Sequence, residues 1–361
     1  MSGEVRQFTV SADDDGIRLD RWFKRNLPDA SFNLVSRWSR TGQLRLDGKR
    51  AVPGDRVEAG QVIRVPPAEA SEEKPRPKRE RPALSPDQIA YVNEMVIHRD
   101  PAAIVVNKPP GLATQGGTKT NVHLDGLLEG LMEEEGARPK LVHRLDKDTS
   151  GVLLIARTPR AAAFFSKSFS GRTARKVYWA LVVGVPEIKD GFIDLPIGKQ
   201  FGTGGEKMCV DQDEGQAAKT RYRVIERAGN RAAWVELQPY TGRTHQLRVH
   251  MAAIGHPIVG DGKYGGQEAF LTGSISRKLH LHARRLRIDH PDGGRLDVTA
   301  EPPAHFAESL VALGFDPAAG DLPLDEPKYS ETAEGRRKAT SAAAKARRKE
   351  RRGERRSRGR S

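Results

Sequence analysis

A nine-residue segment, His143–Gly151, concentrates groups that can do chemistry: two carboxylates, three potential cations and two hydroxyls. The apolar run that follows, 152–156, has the length and composition of a strand buried on both faces. Because rigid strands commonly position reactive groups on the loops they anchor, this pattern indicates a functional loop. Asp146 and Asp148 also fit a metal-binding pair, and the end of the segment fits an ordinary turn closed by Asp and Ser side chains.

A second dense segment occupies 240–250, with the sequence Tyr-Thr-Gly-Arg-Thr-His-Gln-Leu-Arg-Val-His. Thr241 or Thr244 is predicted to cap a helix that carries Leu247 and ends at Gly255. On such a helix Thr244 and Arg248 are four residues apart and share a face.

Three histidines in and after this segment raise the possibility of a metal site. They are His245, His250 and His256. No carboxylate or cysteine nearby completes a standard ligand set, so we expect structural roles for all three and no bound metal.

Elements able to position these segments are predicted between 87 and 317. A buried-type strand at 103–106 leads into 107–112, where two prolines and a glycine stiffen a turn beside the Asp146 loop. Further predicted elements are a helical pattern at 123–132, a helix at 160–169, a strand at 176–183, a hairpin of 218–227 with 231–238 across Gly229-Asn230, and a strand at 296–299.

Residues 16–66 have the pattern of a small independent module. Two short helices are predicted, the second capped by Ser31, followed by a hairpin over Asp47-Gly48 and a strand within 57–65. The stretch 67–86 is rich in Pro, Glu, Lys and Arg and is predicted to be a flexible linker. The basic stretch 329–361 is predicted to be a disordered tail.

The net charge of +14 indicates an anionic partner, and the charge is unevenly distributed. Residues 336–361 hold 13 Lys/Arg against 2 Asp/Glu, and residues 16–66 hold 11 against 5. A basic module beside a nearly neutral body favours RNA binding combined with catalysis. One cysteine, Cys209, and the absence of a signal-peptide core or membrane-length apolar run indicate a soluble, cytoplasmic protein, with a monomer as the default expectation.

The segment from His143 to Gly151 resembles, without a break, the signature loop of the RluA-type pseudouridine synthases. The segments 107–112 and 240–250 are similar to two further motifs of that family, and the 16–66 module resembles the S4 RNA-binding domain often fused to it. The resemblance implies an α+β catalytic domain around a mixed, mainly antiparallel sheet, preceded by a small α+β S4-like domain.

The resemblance also assigns roles. Asp146 matches the essential catalytic aspartate, Tyr178 matches a tyrosine that stacks on the target base, and Arg248 matches a basic residue set against the carboxylate. When the target nucleotide flips out of the RNA helix, Arg144 is the candidate to occupy its place in the base stack, since a guanidinium plane stacks well on bases. In the S4-like module, RNA contacts are expected from Arg18, Arg21, Arg37 and Lys49.

The implied reaction isomerises uridine in RNA to pseudouridine and needs no metal, nucleotide or redox cofactor. The S4-like module and the signature loop are most similar to the RluC/RluD-like branch, which acts on large-subunit ribosomal RNA. Two alternatives are a non-catalytic RNA-binding or ribosome-assembly factor that retains the synthase body, and a metal-dependent hydrolase using Asp146, Asp148 and histidines.

Overall fold

The computed structural model describes residues 5–67, 83–117, 122–133, 136–202 and 205–322. The chain divides into two compact units, Met1–Pro82 and Ala83–Ser361. The predicted tail and residues 68–82 of the predicted linker lie outside the described residues. In the part of the chain that the structure describes, no helix has both the length and the apolar composition needed to cross a membrane.

The N-terminal unit packs two helices against a small sheet with strand order β1-β4-β2-β3. Ser31 caps the second helix through the Leu34 N–H, as predicted. Asp47 and Gly48 both have positive φ, at 48° and 78°, which gives the tight turn between β2 and β3. The elements are β1 (Arg6–Thr9), α1 (Leu19–Asn26), α2 (Phe32–Arg40), β2 (Arg45–Leu46), β3 (Lys49–Arg50) and β4 (Val62–Val65).

Aromatic side chains from both helices fill the core of this unit. Trp22, Phe23 and Trp38 are almost completely buried there, and their rings pack mainly edge to face. The range 16–66 leaves out β1, which pairs antiparallel with β4 along its whole length. Only four residues long and half exposed, β1 gives little apolar pattern in the sequence.

The C-terminal unit is built on one sheet of ten strands, and a two-stranded sheet, β11 with β12, lies beside it. Along the large sheet the order is β10-β13-β14-β9-β15-β8-β6-β5, with β16 on β15 and β7 on β8. The strands are β5 (Val96–Arg99), β6 (Ala103–Lys108), β7 (Lys140–Leu141), β8 (Ser150–Ala156), β9 (Arg175–Val183), β10 (Asp190–Asp194), β11 (Ile197–Gly202), β12 (Gly205–Val210), β13 (Lys219–Ala228), β14 (Ala232–Pro239), β15 (Leu281–Asp289) and β16 (Arg295–Thr299).

Helices cover parts of this sheet, and the fold is the predicted α+β class. The predicted helix at 160–169 is confirmed as a helix at Pro159–Ser170, and the predicted hairpin is confirmed as β13 with β14. The helical pattern at 123–132 divides into a helix at Leu124–Leu127 and a 3₁₀ turn at Leu128–Leu131. The helices are α3 (Pro86–Glu94), α4 (Leu124–Leu127), α5 (Pro159–Ser170), α6 (Gln246–Ala253), α7 (Gly262–Gly265) and α8 (Ala304–Ala312).

The pairing of β8 with β15 joins the two halves of the large sheet. Among the described strands of this sheet it is the one parallel pairing, so the sheet is mixed and mainly antiparallel, as predicted. Gly151 has φ of 110°, and a Cβ atom there would lie 2.2 Å from the Ala283 carbonyl oxygen. The glycine that ends the Asp146 segment is therefore required by the close approach of two backbones.

Three buried histidines bond neighbouring elements together. His250 joins α6 to Thr220 and the Leu195 carbonyl, His280 contacts Ser309, and His282 accepts from Ser150 and donates to the Ala300 carbonyl. Burial lowers the pKa of each to about 4. These side chains are therefore neutral at pH 7.

We predict that the C-terminal unit loses stability as the pH falls from 6.5 toward 4. In that window the unfolded chain binds protons at these histidines and the folded chain does not, so each costs on the order of 1 to 2 kcal/mol at pH 5. Calorimetric unfolding from pH 7.5 to 5 measures this loss. His250→Gln should lower stability at pH 7.5 and make the pH dependence shallower; an unchanged slope would contradict the assignment.

Candidate active site

The backbone on both sides of Asp146 is held by residues that follow β6. The buried Thr114 hydroxyl donates to the Leu145 carbonyl at 2.7 Å and accepts from the Leu145 N–H at 3.2 Å. The Lys147 carbonyl accepts from the Gly111 N–H at 2.9 Å. The prediction that the 107–112 turn lies beside this loop is confirmed, and Asp146 is held between two fixed neighbours.

Lys108, at the end of β6, is fully buried and adds a third connection. Its ammonium donates to the carbonyls of Pro109, Leu112 and Lys147 at 2.7 to 3.0 Å. Burial lowers the pKa of Lys108 to about 7, against the opposing effect of the Asp148 and Asp146 carboxylates. Three acceptors match the three N–H groups of an ammonium, so the charged form is the one that ties the turn to the loop.

His143, at the start of the segment, is a structural anchor. Its Nε2 accepts from the Leu154 N–H at 2.8 Å, and its ring stacks on Phe169 with the centroids 4.3 Å apart. Burial, with a smaller effect of Lys176, lowers the pKa of His143 to about 3. A neutral imidazole with an accepting Nε2 is what the bond to β8 needs.

Above the loop is a cavity of about 500 Å³, which the loop shares with β9 and the 240–248 segment. The Asp146 side chain, 23% exposed, is accessible from it. Within the described residues, no group of three or more His, Cys, Asp or Glu side chains has the arrangement of a metal site. The chemistry-bearing side chains that line the cavity include Arg144, Asp146, Lys176, Tyr178, His245 and Arg248.

Tyr178 lies on β9, opposite Leu237 of β14, and lines the cavity with Asp146. Burial and, to a lesser extent, the negative charge of Asp146 raise the pKa of Tyr178 far above that of an ordinary tyrosine. The hydroxyl therefore keeps its proton at neutral pH. A phenol in this state is a weak proton acceptor.

Arg248 lines the cavity, but its hydrogen bonds go to a different carboxylate from the one expected. Its Nε and Nη2 donate to Asp261 at 2.8 and 2.7 Å, and the Asp261 side chain is fully buried. Against the effect of burial, this pair and a smaller attraction to Asp146 raise the pKa of Arg248. Asp261 lies 13 residues further along the chain, beyond the end of α6, so helical spacing gave no signal for the pair.

His245, for which we expected a structural role, lies beside the carboxylate. Its Nε2 is 3.9 Å from Asp146 Oδ2, and its Nδ1 is 2.6 Å from the Tyr264 hydroxyl. The predicted threonine cap of α6 is wrong: His245 itself occupies the N-cap position, with φ of 54° and ψ of 21°, and makes no side-chain cap bond. Thr241 instead donates to Gln246 and accepts from the Lys219 N–H.

The other predicted site residues divide between the two units. Arg144 is exposed on the cavity rim, and no ion pair engages it in the described part of the chain. In the N-terminal unit, Arg18 binds Asp20 through two hydrogen bonds of 3.1 and 2.9 Å. The four predicted RNA contacts there are all exposed: Arg18, Arg21, Arg37 and Lys49.

The sheet, the loop and the cavity have the arrangement of a pseudouridine synthase. Residues 102–253 match the RNA pseudouridylate synthase family model. A human RNA pseudouridylate synthase domain containing 4 structure superposes with a TM-score of 0.53 at 31% identity, over 63% of this chain and 95% of that one.

Similarity to curated proteins extends over most of the chain. The ribosomal large subunit pseudouridine synthase C of Escherichia coli K12 is 35% identical over 300 residues, which cover 81% of this chain and 91% of that protein. The synthase of the same name from Yersinia pestis is 35% identical over 86% of this chain and 96% of its own length. The chain belongs to the RluA family of RNA pseudouridine synthases.

We predict that Lys108→Met releases the loop. Methionine fills the space but cannot donate, and the Pro109 and Leu112 carbonyls, which lose this donor, cost roughly 2 to 4 kcal/mol in total. Thermal unfolding should show this loss, and kcat should fall more than KM changes, because the loop is held less rigidly. The exposed Lys189→Met is the matched control and should change neither quantity. Unaltered kcat in Lys108→Met would mean that the three bonds do not position Asp146.

Proposed function

We propose that this synthase isomerises specific uridines of large-subunit ribosomal RNA and that Asp146 is its catalytic carboxylate. The names of the relatives from Escherichia coli and Yersinia pestis support the substrate class. The observation that carries the assignment of Asp146 is its position: a partly exposed carboxylate at a cavity, between two residues whose backbones are both hydrogen-bonded to the 108–114 segment. Such fixed geometry is what positional catalysis requires.

The reaction breaks the N1–C1′ bond of uridine and rejoins the same base to the sugar through C5. Substrate and product have the same composition, so no cofactor has to supply or remove electrons. The Asp146 carboxylate acts either as a nucleophile at C1′ or as a base toward the sugar, and its accessibility from the cavity suits both routes. Sheltering from bulk water strengthens either interaction.

Tyr178 is proposed to stack on the uracil while the base detaches and turns. A phenol kept neutral by burial presents an uncharged ring face, which suits a neutral base. Proton removal from C5 then falls to a group other than a tyrosinate.

A base paired within a helix cannot reach this cavity, so the target nucleotide must flip out at a cost of a few kcal/mol. Arg144 is the proposed replacement in the vacated stack. Its position on the cavity rim, exposed and without an ion pair among the described residues, leaves the guanidinium available for this contact.

The N-terminal unit is proposed to be an S4-like RNA-binding domain. Its support is the sequence pattern of 16–66, the excess of basic residues there and the exposure of the predicted contacts. Arg18 is already engaged by Asp20, so Arg21 and Lys49 are the better candidates for phosphate contacts. We further propose a cytoplasmic monomer, consistent with the single cysteine.

The deciding experiment is pseudouridine mapping of total RNA by carbodiimide-stop sequencing in cells with and without the gene. Loss of defined large-subunit sites, restored by the wild-type gene, is the expected result. Changes confined to transfer RNA would overturn the proposed substrate. No change in any RNA would favour a non-catalytic binding factor.

We predict that Asp146→Asn abolishes turnover, because the amide is neither a nucleophile nor a base, while RNA affinity stays within about twofold of wild type. Asp148→Asn is the matched control, since this exposed neighbour carries the same charge two residues away. It should keep kcat within about tenfold of wild type. Purified proteins and a ribosomal RNA fragment suffice, and measurable product from Asp146→Asn would refute the mechanism.

A second prediction concerns the N-terminal unit. The Arg21→Gln/Lys49→Gln protein should bind RNA more weakly, and the slope of log K against log salt should become about one to two units shallower, because fewer counterions are released. The rate at saturating RNA should not change. Lys189→Gln, an exposed lysine of the other unit, provides the comparison. Equal salt slopes for all three proteins would argue against phosphate contacts by these residues.

A further inference from the structure

His245 is the basic side chain that the fold brings to the Asp146 carboxylate. Among the described residues it is the one Lys, Arg or His with a nitrogen within 4.0 Å of an Asp146 oxygen, at 3.9 Å. Arg248, the expected partner, spends two of its N–H groups on the buried Asp261. Arg248 keeps further N–H groups, but His245 Nε2 is the nearest candidate donor to Asp146 among the basic side chains that the structure describes.

The Tyr264 hydroxyl sets the state of the His245 ring. Burial raises the pKa of Tyr264, so its hydroxyl keeps its proton. That hydroxyl accepts from the Met208 N–H at 3.4 Å and lies 2.6 Å from His245 Nδ1, a distance at which it can donate to this nitrogen. The opposite nitrogen, Nε2, then carries the ring proton and faces a carboxylate, which is the favourable arrangement of donor and acceptor.

The ring is also neutral and firmly placed. Burial lowers the pKa of His245, with Asp146 and Asp261 acting against this effect and Arg248 and Lys263 adding to it. Its edge packs against the Tyr264 ring, with the centroids 5.5 Å apart. Tyr264 is held in turn by its own N–H, which donates to Asp261 at 3.2 Å.

The backbone at His245 lies in the left-handed region, which costs a residue with a side chain on the order of 1 to 2 kcal/mol. Gln246 stabilises this turn, since its amide oxygen accepts from Thr241 and from the Arg243 N–H. The turn places His245 at the cavity, while the Gln246 side-chain amide donates to the Thr220 hydroxyl of β13. A strained backbone conformation persists when surrounding hydrogen bonds enforce it, and such conformations cluster at functional sites, where they orient a side chain.

We propose that His245 is the positioning residue for Asp146: its Nε2–H, fixed by Tyr264, donates to Oδ2 in the RNA complex and leaves Oδ1 directed at the ribose. The inference rests on the proposed role of Asp146. The present distance of 3.9 Å has to shorten by about 1 Å, and hydrogen bonds of this kind commonly tighten only in the substrate complex. His245 orients the carboxylate and exchanges no proton with the substrate.

Two substitutions at His245 separate this role from a structural one. The glutamine amide nitrogen reaches nearly as far as imidazole Nε2, so His245→Gln keeps a donor for Asp146. Asparagine tolerates the left-handed backbone well but its amide is too short. We expect kcat within about tenfold of wild type for His245→Gln and about 100-fold lower for His245→Asn, with KM and the unfolding temperature of the asparagine variant unchanged.

Tyr264→Phe tests whether the Tyr264 hydroxyl sets the position of the proton on the His245 ring. In the wild-type background it should lower kcat about tenfold, because Nε2 no longer holds the ring proton in every molecule. In the His245→Gln background it should have no effect, because an amide has no tautomer to set. Equal losses of kcat in both backgrounds would assign Tyr264 a purely structural role and refute its role in setting the His245 proton.

Asp146→Asn, measured in the same assay, separates the proposed catalytic role of Asp146 from the proposed positioning role of His245. If it is active, the proposed role of Asp146 fails and the inference fails with it. If it is inactive while His245→Asn turns over like wild type, Asp146 stands as the catalytic group and the positioning role of His245 is refuted. Loss of activity in the glutamine and asparagine variants alike would also refute it.

Discussion

The active site depends on a clamp of backbone hydrogen bonds around one carboxylate. Thr114 holds Leu145, while Lys108 and Gly111 hold Lys147, so Asp146 projects from a peptide segment fixed at both ends. The clamp uses main-chain atoms and leaves the Asp146 side chain open to the cavity. A loop held in this way can present a reactive group without burying it.

On the opposite side of the cavity, charges are paired before any substrate arrives. Arg248 donates twice to Asp261, and Asp261 also accepts from the backbone N–H of Tyr264, whose side chain contacts His245. A buried pair of this kind adds little net stability but defines geometry. One wall of the site therefore supplies the carboxylate, and the other supplies a rigid polar surface facing it.

Local patterns were sufficient to predict the elements with strong periodicity, and the family resemblance was sufficient to single out Asp146 and Tyr178 as site candidates. Strands β8 and β9 and helix α5 were predicted to within two residues because their apolar residues and caps are contiguous in the chain. Strands β10 to β12, in a glycine-rich and charged stretch, carry little apolar pattern and were missed. The partner of Arg248 and the position of His245 depend on which elements meet in space, and no spacing along the chain encodes that.

Strand β15 has a consequence for the order in which the molecule is made. It comes late in the chain yet lies between β8 and β9, and it joins the half of the sheet that carries the Asp146 loop to the half that carries His245. During synthesis the Asp146 loop and the segment that carries His245 and Tyr264 are both made before the strand that unites the two halves of the sheet. A nascent chain ending before residue 281 has every candidate catalytic side chain and still lacks β15, so the two halves of the sheet can be joined only when this strand inserts.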